Sequence, residues 1–234
     1  MKKIVYSVFT AILLIAAVLK VSAQSEQTRQ VSGFNSIASG GPFDVHVKIN
    51  GTESLKLKAS PDIINEIETV VEGGKLKIRF KHHHEWNNEN TGRIDVYVTA
   101  KSLSGVDNAG SGSIKIDGTV NGENVRLNLS GSGDITSSVK SGDLHISISG
   151  SGSIHLNGNA NDANISIAGS GELMGKELVT GSASVSIAGS GSAYFAANKT
   201  VSASIVGSGN VIYSGNATTG DVRTIGSGRV SKSE

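Results

Sequence analysis

The tripeptide Gly-Ser-Gly recurs seven times in the second half of the chain, and its spacing restricts the fold more than any other feature. The copies begin at Gly110, Gly131, Gly150, Gly169, Gly189, Gly207 and Gly226, at intervals of 21, 19, 19, 20, 18 and 19 residues. A nearly constant period of this length is typical of stacked structural units that bury their apolar faces against each other. The repeat therefore predicts a solenoid, although a composition rich in Gly and Ser is also found in flexible linkers.

The residues on either side of each tripeptide alternate between apolar and polar. When each copy is numbered from its first glycine as position 0, positions −4, −2 and +4 are apolar, as in Ile146, Ile148 and Ile154. The position between the first two is polar, as in Ser147. A period of two places successive side chains on opposite faces of a strand, so we predict a strand before and after every Gly-Ser-Gly.

Both glycines of each tripeptide share the parity of the apolar positions, so an extended chain would turn them toward the core. Glycine there removes the side chain where two walls converge and permits the backbone torsions of a bend. We therefore predict an all-β fold, a parallel β-helix or β-solenoid over residues 110–230, whose rungs are stacked about 4.8 Å apart. The predicted structural corner consists of Gly110, Gly112, Gly131, Gly133, Gly150, Gly152, Gly169, Gly171, Gly189, Gly191, Gly207, Gly209, Gly226 and Gly228.

Two other β architectures fit the repeat less well. A run of antiparallel hairpins with Gly-Ser-Gly in the turns is the alternative, but it does not require a constant period. A calcium-binding roll needs Asp to recur after the glycines, and Asp134 is the only Asp that directly follows a Gly-Ser-Gly.

Residues 34–109 also have the pattern of β-strands, but without a regular repeat. Phe43, Val45 and Val47 alternate with polar residues, and the pair Gly73-Gly74 predicts a hairpin turn. Residues 61–71 have room for one helical turn. We expect this less regular part to cap the solenoid or to form its first rungs, because terminal repeats are usually atypical.

Two stretches of this N-terminal part, FNSIASGGPFDVHVKING and LKLKASPDIINEIETVVEGGKLKIRF, precede the seven spaced tripeptides. Together with the tripeptides they resemble the family named "putative auto-transporter adhesin, head GIN domain", over nearly all of residues 34–230. The resemblance implies a right-handed β-helix, a place in the envelope of Gram-negative bacteria and a role in adhesion. No catalytic residues are established for that family, so the resemblance implies none here.

Residues 1–23 are predicted to be a signal peptide. Lys2 and Lys3 precede an apolar run that ends at Leu19, and small residues end at Ala23. The apolar run is short for a membrane span, and we expect no transmembrane segment after cleavage. We predict a leader over residues 24–33, a C-terminal tail over residues 231–234, and a protein located in the periplasm, on the outer-membrane surface or outside the cell.

The charge and cysteine content limit the partners of the exported chain. The full sequence has 21 Lys and Arg against 20 Asp and Glu, and loss of Lys2, Lys3 and Lys20 leaves 18 against 20, a net charge of −2. This balance does not indicate a nucleic-acid partner. Because the chain contains no cysteine, disulfides and thiolate metal ligands are excluded.

The segment KHHHEWNNENTG, residues 81–92, is the strongest local candidate for ligand binding. His82 and His84 would share one face of an extended chain with Glu85 nearby, a donor set that zinc or copper accepts. Three adjacent histidines are nevertheless a poor scaffold for tetrahedral ligation, so we predict a polar loop, no metal site and no cofactor. Trp86, the only tryptophan, has a ring able to stack on a sugar or to cover the end of the core.

A pair of carboxylates is the second candidate, because a β-helix can carry a polysaccharide-cleaving site. Asp134 and Glu172 both occupy position +3, with Ser153 on the rung between them. Two rungs separate them by about 9 to 10 Å, at the edge of the range for inverting glycosidases. A solvated polar ladder is the simpler interpretation, and His145 and His155 are expected to be surface residues.

The sequence thus favours an exported, non-enzymatic β-solenoid that presents a flat wall of Ser and Asn to an envelope, glycan or protein surface. One alternative is an envelope polysaccharide-active enzyme built on a β-helix. Another is a purely structural or sensory accessory protein of the envelope. Stacking between exposed end rungs makes a homo-oligomer an additional expectation.

Overall fold

The computed structural model describes residues 24–81 and 92–233, and their secondary structure is almost entirely β-strand. The first eight strands are β1 (Ser25–Arg29), β2 (Ser36–Gly40), β3 (Phe43–Ile49), β4 (Ser54–Ala59), β5 (Ile67–Glu72), β6 (Lys75–Phe80), β7 (Ile94–Ala100) and β8 (Gly105–Gly110). The remaining strands are β9 (Ser113–Gly131), β10 (Asp134–Gly150), β11 (Ser153–Gly169), β12 (Glu172–Gly189), β13 (Ser192–Gly207), β14 (Asn210–Ser214), β15 (Thr218–Gly226) and β16 (Arg229–Lys232). One short helix, α1 (Pro61–Ile64), follows β4.

The long strands β9 to β13 form one continuous parallel stack. Each strand pairs with the next along most of its length, so that Ile146 lies beside Ile165 and Gly150 lies beside Gly169. Strands β14 and β15 continue the stack on β13, and β16 pairs with β14. The predicted parallel β-solenoid is confirmed, and the alternative of antiparallel hairpins is wrong for the repeat.

The interior of the solenoid is filled by the apolar columns that the alternation predicted. Leu127, Ile146, Ile148 and Ile154 are each no more than 2% exposed. Equivalent residues of successive rungs lie directly above one another, because the strands are in register at these positions. Stability in the repeat therefore comes from stacked aliphatic side chains together with the backbone ladder.

From Gly131 onward, the two glycines of each tripeptide have different roles, which parity alone does not predict. The second glycine, such as Gly152, is buried and lies in phase with the apolar columns. The first glycine is not extended, since φ is +121° at Gly150 and between +113° and +130° in the other copies from Gly131 onward. A Cβ at Gly150 would collide with the carbonyl oxygen of Gly131 in the preceding rung. The position on the buried face that was expected for both glycines is thus observed only for the second.

Deviations from a 19-residue rung are absorbed by bulges away from the tripeptides. The register shifts opposite residues 136–138 in the β9–β10 ladder and between His155 and Asn157 in the β11–β12 ladder. A third shift lies between Met174 and Val179, where β12 pairs with β13. The glycine corners therefore stay in register from rung to rung, while extra residues such as Lys176 are exposed.

The N-terminal part joins the same sheet and combines parallel with antiparallel pairing. Strands β3 and β8 pair in parallel with β9, and β2 pairs in parallel with β8. Strand β4 is antiparallel to both β1 and β7, and β5 and β6 form an antiparallel hairpin. Gly73 and Gly74 make the predicted turn of that hairpin with φ of +57° and +74°. Residues 25–29 of the predicted leader form β1.

Candidate functional site

An extended polar surface of the solenoid lies on the outward side of the strand segment that precedes each glycine corner. It consists of positions −5 and −3 of five successive rungs, and we call it the serine face. Its residues are Arg126, Asn128, His145, Ser147, Asn164, Ser166, Ser184, Ser186, Ser202 and Ser204. All of them are exposed or half-buried.

The side chains of the serine face form two straight ladders across the strands. Ser147 is in register with Ser166, Ser166 with Ser186, and Ser186 with Ser204. Because neighbouring strands in a sheet lie about 4.8 Å apart, hydroxyl groups repeat along the solenoid at that spacing. The alternate residues of the same strands point into the core, which fixes the direction of the ladder side chains.

Short side chains leave the serine face shallow. A depression of about 340 Å³ is lined by residues that include His145, Ser147 and Ser166. A second, of about 590 Å³, lies nearer the last rung and reaches Asp221 and Arg223. At the N-terminal edge the side chain of Asn128 donates to Asp107, 2.6 Å away. Charged residues thus mark the two ends of a face whose middle is neutral.

A separate groove lies on the wall that follows the corner, where the bulges of β11 and β12 are located. It has a volume of about 540 Å³ and is lined by Thr136, His155, Leu156, Asn157, Glu172, Met174, Lys176, Glu177 and Tyr194. The ammonium group of Lys176 lies 5.9 Å from the centre of the Tyr194 ring. Met174 is 39% exposed. We call this region the bulge groove.

Only one of the two carboxylates that the sequence suggested as a pair lines the bulge groove. Asp134 is in register with Ser153, and Ser153 with Glu172, so the two are two rungs apart as predicted. Glu172 lines the bulge groove together with His155, whereas Asp134 is an exposed residue outside the groove lining. The carboxylate pair therefore does not define one shared cavity.

A cluster of charged and aromatic residues on β3 and β7 was missed by the sequence analysis. The Nε2 of His46 lies 3.2 Å from Oδ1 of Asp95, and its ring stacks on Tyr97 with centroids 5.0 Å apart. Asp95 is only 6% exposed and also accepts from Arg93, 3.0 Å away. The only sequence signal was that these residues alternate with core residues, and their proximity depends on the parallel pairing of His46 with Tyr97.

The histidine-rich candidate, with His82, His84, Glu85 and Trp86, lies outside the described residues. Within residues 24–81 and 92–233, no group of three or more His, Asp or Glu side chains has the arrangement of a metal site. In the same two ranges, no helix has the length and apolar character that crossing a membrane requires.

The fold and the faces described above define a repeat protein of the β-solenoid class with an extended polar surface. Residues 33–217 match the model of the family described as "Putative auto-transporter adhesin, head GIN domain". The chain belongs to this family, which confirms the resemblance seen in the sequence. The comparison with curated proteins gives no match.

Several solved structures share the fold at low sequence identity. A "putative adhesin" from Bacteroides fragilis superposes with a TM-score of 0.83 at 20% identity, over 90% of this chain and 97% of that chain. A "putative lipid binding protein" from Parabacteroides distasonis gives a TM-score of 0.73 at 23% identity, over 92% and 98% of the two chains. A "putative adhesin" from Parabacteroides merdae gives 0.69 at 21% identity, over 92% and 98%.

Proposed function

We propose that this protein is an exported, non-enzymatic binding domain of the adhesin type, and that the serine face is its contact surface for polysaccharide. The in-register ladder of Ser147, Ser166, Ser186 and Ser204 is the observation that carries the proposal. Membership of the adhesin family supports it.

The chemistry of the serine face suits a neutral, hydroxyl-rich polymer. Each Ser hydroxyl is both a donor and an acceptor, and each Asn side chain offers an amide donor and a carbonyl acceptor. The short Ser side chains lose little conformational entropy when a ligand orders them. A ligand that lies along the solenoid axis meets the same group on every rung, so many weak contacts add up.

Two features support the proposed location of the protein outside the inner membrane. Residues 1–23 have the pattern of a signal peptide. The related structures named for adhesion come from bacteria of the genera Bacteroides and Parabacteroides. These features fit the periplasm, the outer-membrane surface and the medium, and the contact with a polysaccharide is expected in any of them.

The bulge groove favours a second candidate function, a polysaccharide-active enzyme, because Glu172, His155 and Tyr194 line one cavity. An inverting mechanism needs a second carboxylate opposite the first and a carboxyl group withdrawn from water. Asp134 is exposed and outside that cavity, and Glu172 is only partly buried. We therefore propose polysaccharide contact on the serine face and no bond cleavage in the bulge groove.

The direct test is a binding assay with the exported protein on a glycan array and on isolated bacterial envelope. Ser166→Arg places a long charged side chain in the middle of the ladder and is expected to abolish binding. Asn159→Arg makes the same change at an exposed position outside the serine face and the groove, and is expected to bind like the unmodified protein. Equal loss in both variants, or no glycan bound by the unmodified protein, contradicts the proposal.

One of the structures with the same fold is named for lipid binding, so binding to lipid is measured alongside binding to glycans. Vesicles of phosphatidylethanolamine and phosphatidylglycerol are added to the same proteins in a sedimentation assay. We expect no binding to vesicles, because the serine face is polar. Binding to vesicles without binding to glycans would replace the proposed polysaccharide ligand by a lipid surface.

A further inference from the structure

Strand β15 is an open sheet edge at the last rung. It pairs with β13 on one side, and within the described part of the chain no strand pairs with its other side. The chain that follows β15 leads into β16, which pairs with β14 and not with β15. All nine residues of β15 are exposed, so its outer backbone donors and acceptors face solvent. Such an edge is a template for another strand.

The same rung leaves apolar side chains uncovered. Val222 occupies position −4, directly above Ala203, and is 44% exposed. Its equivalents in the preceding rungs are at most 5% exposed, because a further rung covers each of them. On the outer surface Ile225 lies beside Val206, and the two are 61% and 51% exposed. A further strand on β15 would continue the core over Val222.

We propose that a second copy of this chain covers β15, in a tail-to-tail dimer whose two β15 strands pair antiparallel about a twofold axis at Val222. The two partners of such a dimer use the same patch, so the patch must be complementary to itself.

The charges of β15 favour this register over the two neighbouring ones. Alternation requires inward residues to oppose inward residues, so the axis passes through a residue rather than between two. With the axis at Val222, Asp221 lies opposite Arg223 of the second copy, and the pair occurs twice. With the axis at Asp221 or at Arg223, that residue would oppose its own copy, and like charges directly opposite are destabilising. Charges on an edge also serve to block pairing, but the register with the axis at Val222 pairs opposite charges on both sides of the axis.

The test is a charge exchange, measured by light scattering after size exclusion and by sedimentation velocity over a range of concentrations. The exported, unmodified protein is expected to form a dimer. Asp221→Arg and Arg223→Asp are each expected to weaken association by about tenfold or more, because each variant opposes like charges twice. The double variant, which combines the two substitutions, again places opposite charges across the axis and is expected to restore the dimer.

Controls separate this dimer from association through a different surface. Lys140→Asp changes charge at an exposed position away from β15 and is expected to leave the dimer intact. Thermal unfolding verifies that each variant is folded. A monomer at every concentration, or a double variant that dissociates like the single ones, overturns the proposal. The proposal is also overturned if the protein stays monomeric and binds lipid vesicles through Val206 and Ile225. Asp221 and Arg223 lie at the end of the serine face, so glycan binding by each charge variant is measured beside its association. The binding assay with Ser166→Arg leaves β15 unchanged, so loss of glycan binding in that variant tests the serine face separately from the dimer.

Discussion

The backbone N–H of Gly152 donates to the carbonyl oxygen of Gly131, 3.1 Å away in the preceding rung. The same oxygen accepts from the N–H of Ser151 at 3.0 Å. The relationship recurs at later corners, where the carbonyl of Gly169 accepts from Gly191. Each corner is thus fixed by hydrogen bonds to the backbone of the corner before it. These bonds require the two backbone segments to approach closely, which is possible because the glycines there carry no Cβ.

The first glycine of a tripeptide is expected to tolerate no side chain. Gly150→Ala adds a Cβ where the carbonyl oxygen of Gly131 lies, on a residue whose φ is +121°. We expect a loss of about 2 to 3 kcal/mol in the free energy of unfolding, from backbone strain and displaced stacking. Urea unfolding measures it. Ser151→Ala, at the exposed middle position of the same corner, is the control and should change stability by less than about 0.5 kcal/mol. Equal stability of the two variants would show that the corner can relax.

Arg29 is predicted to stabilise the packing of β1 against the segment that contains Ile64 and Ile67. Its guanidinium donates to the carbonyl oxygens of Ile67 at 2.6 Å and Ile64 at 3.0 Å. Burial lowers the pKa of Arg29. Arg29→Met leaves those carbonyls without this donor, and we expect a loss of about 1.5 to 3 kcal/mol. Hydrogen exchange should accelerate in β1 and β4, whereas Thr28→Ala, at an exposed neighbour, should leave it unchanged. Unaltered exchange in Arg29→Met would refute this role.

Glu53 is expected to make stability depend on acid pH. Its carboxylate binds the ammonium group of Lys101 at 2.7 Å and accepts from the backbone N–H groups of Gly33 and Phe34 at 2.8 and 3.3 Å. The hydrogen bond from Lys101, followed by those from the backbone, holds the pKa of Glu53 below its usual value of 4.5. A carboxyl group whose pKa is lower in the folded than in the unfolded protein stabilises the fold at pH values above its unfolded-state pKa. This stabilisation is lost as the pH falls through its folded-state pKa.

Glu53→Gln removes that contribution at neutral pH. The difference in unfolding free energy between the unmodified protein and the variant should therefore be largest near pH 7 and shrink below about pH 4.5. Chemical unfolding at several pH values measures it, with Asp117→Asn at an exposed position as the matched control. A difference that stays constant down to pH 2 would show that the charge of Glu53 contributes nothing.

No hydrolytic activity is expected from the two carboxylates. A screen of polysaccharides for degradation should give the same null result with the unmodified protein, Asp134→Ala and Glu172→Ala. The reason is geometric, since only Glu172 lines the bulge groove. Degradation by the unmodified protein that either substitution removes would favour the enzyme over the binding domain.

The repeat could be predicted from the sequence because it depends on local alternation. Ile146, Ile148 and Ile154 mark inward positions without any knowledge of their partners, and the constant spacing of the glycines sets the stacking. The torsion at Gly150 was not predictable from parity, because parity assumes an extended chain. The 21- and 20-residue intervals showed that extra residues exist, but not where they leave the ladder.

The N-terminal part was less predictable because its contacts are distant in the sequence. Asp95 and His46 are 49 residues apart and meet only through the parallel pairing of β3 with β7. Neither strand contains a signal for its partner. The serine face lies between these cases, since its residues were predictable from the alternation and its straight ladders depend on the register.

Cross-linking from single cysteines tests most directly whether the serine face is the contact surface. The chain has no cysteine of its own, so Ser166→Cys and Asn159→Cys each create one thiol for a photoactivatable label. The labelled proteins are irradiated on isolated bacterial envelope, and the amount of envelope material attached to each is compared. Capture of polysaccharide from position 166 and little from position 159 is the predicted result. Equal capture from both positions, or capture from position 159 alone, would contradict the assignment of the serine face.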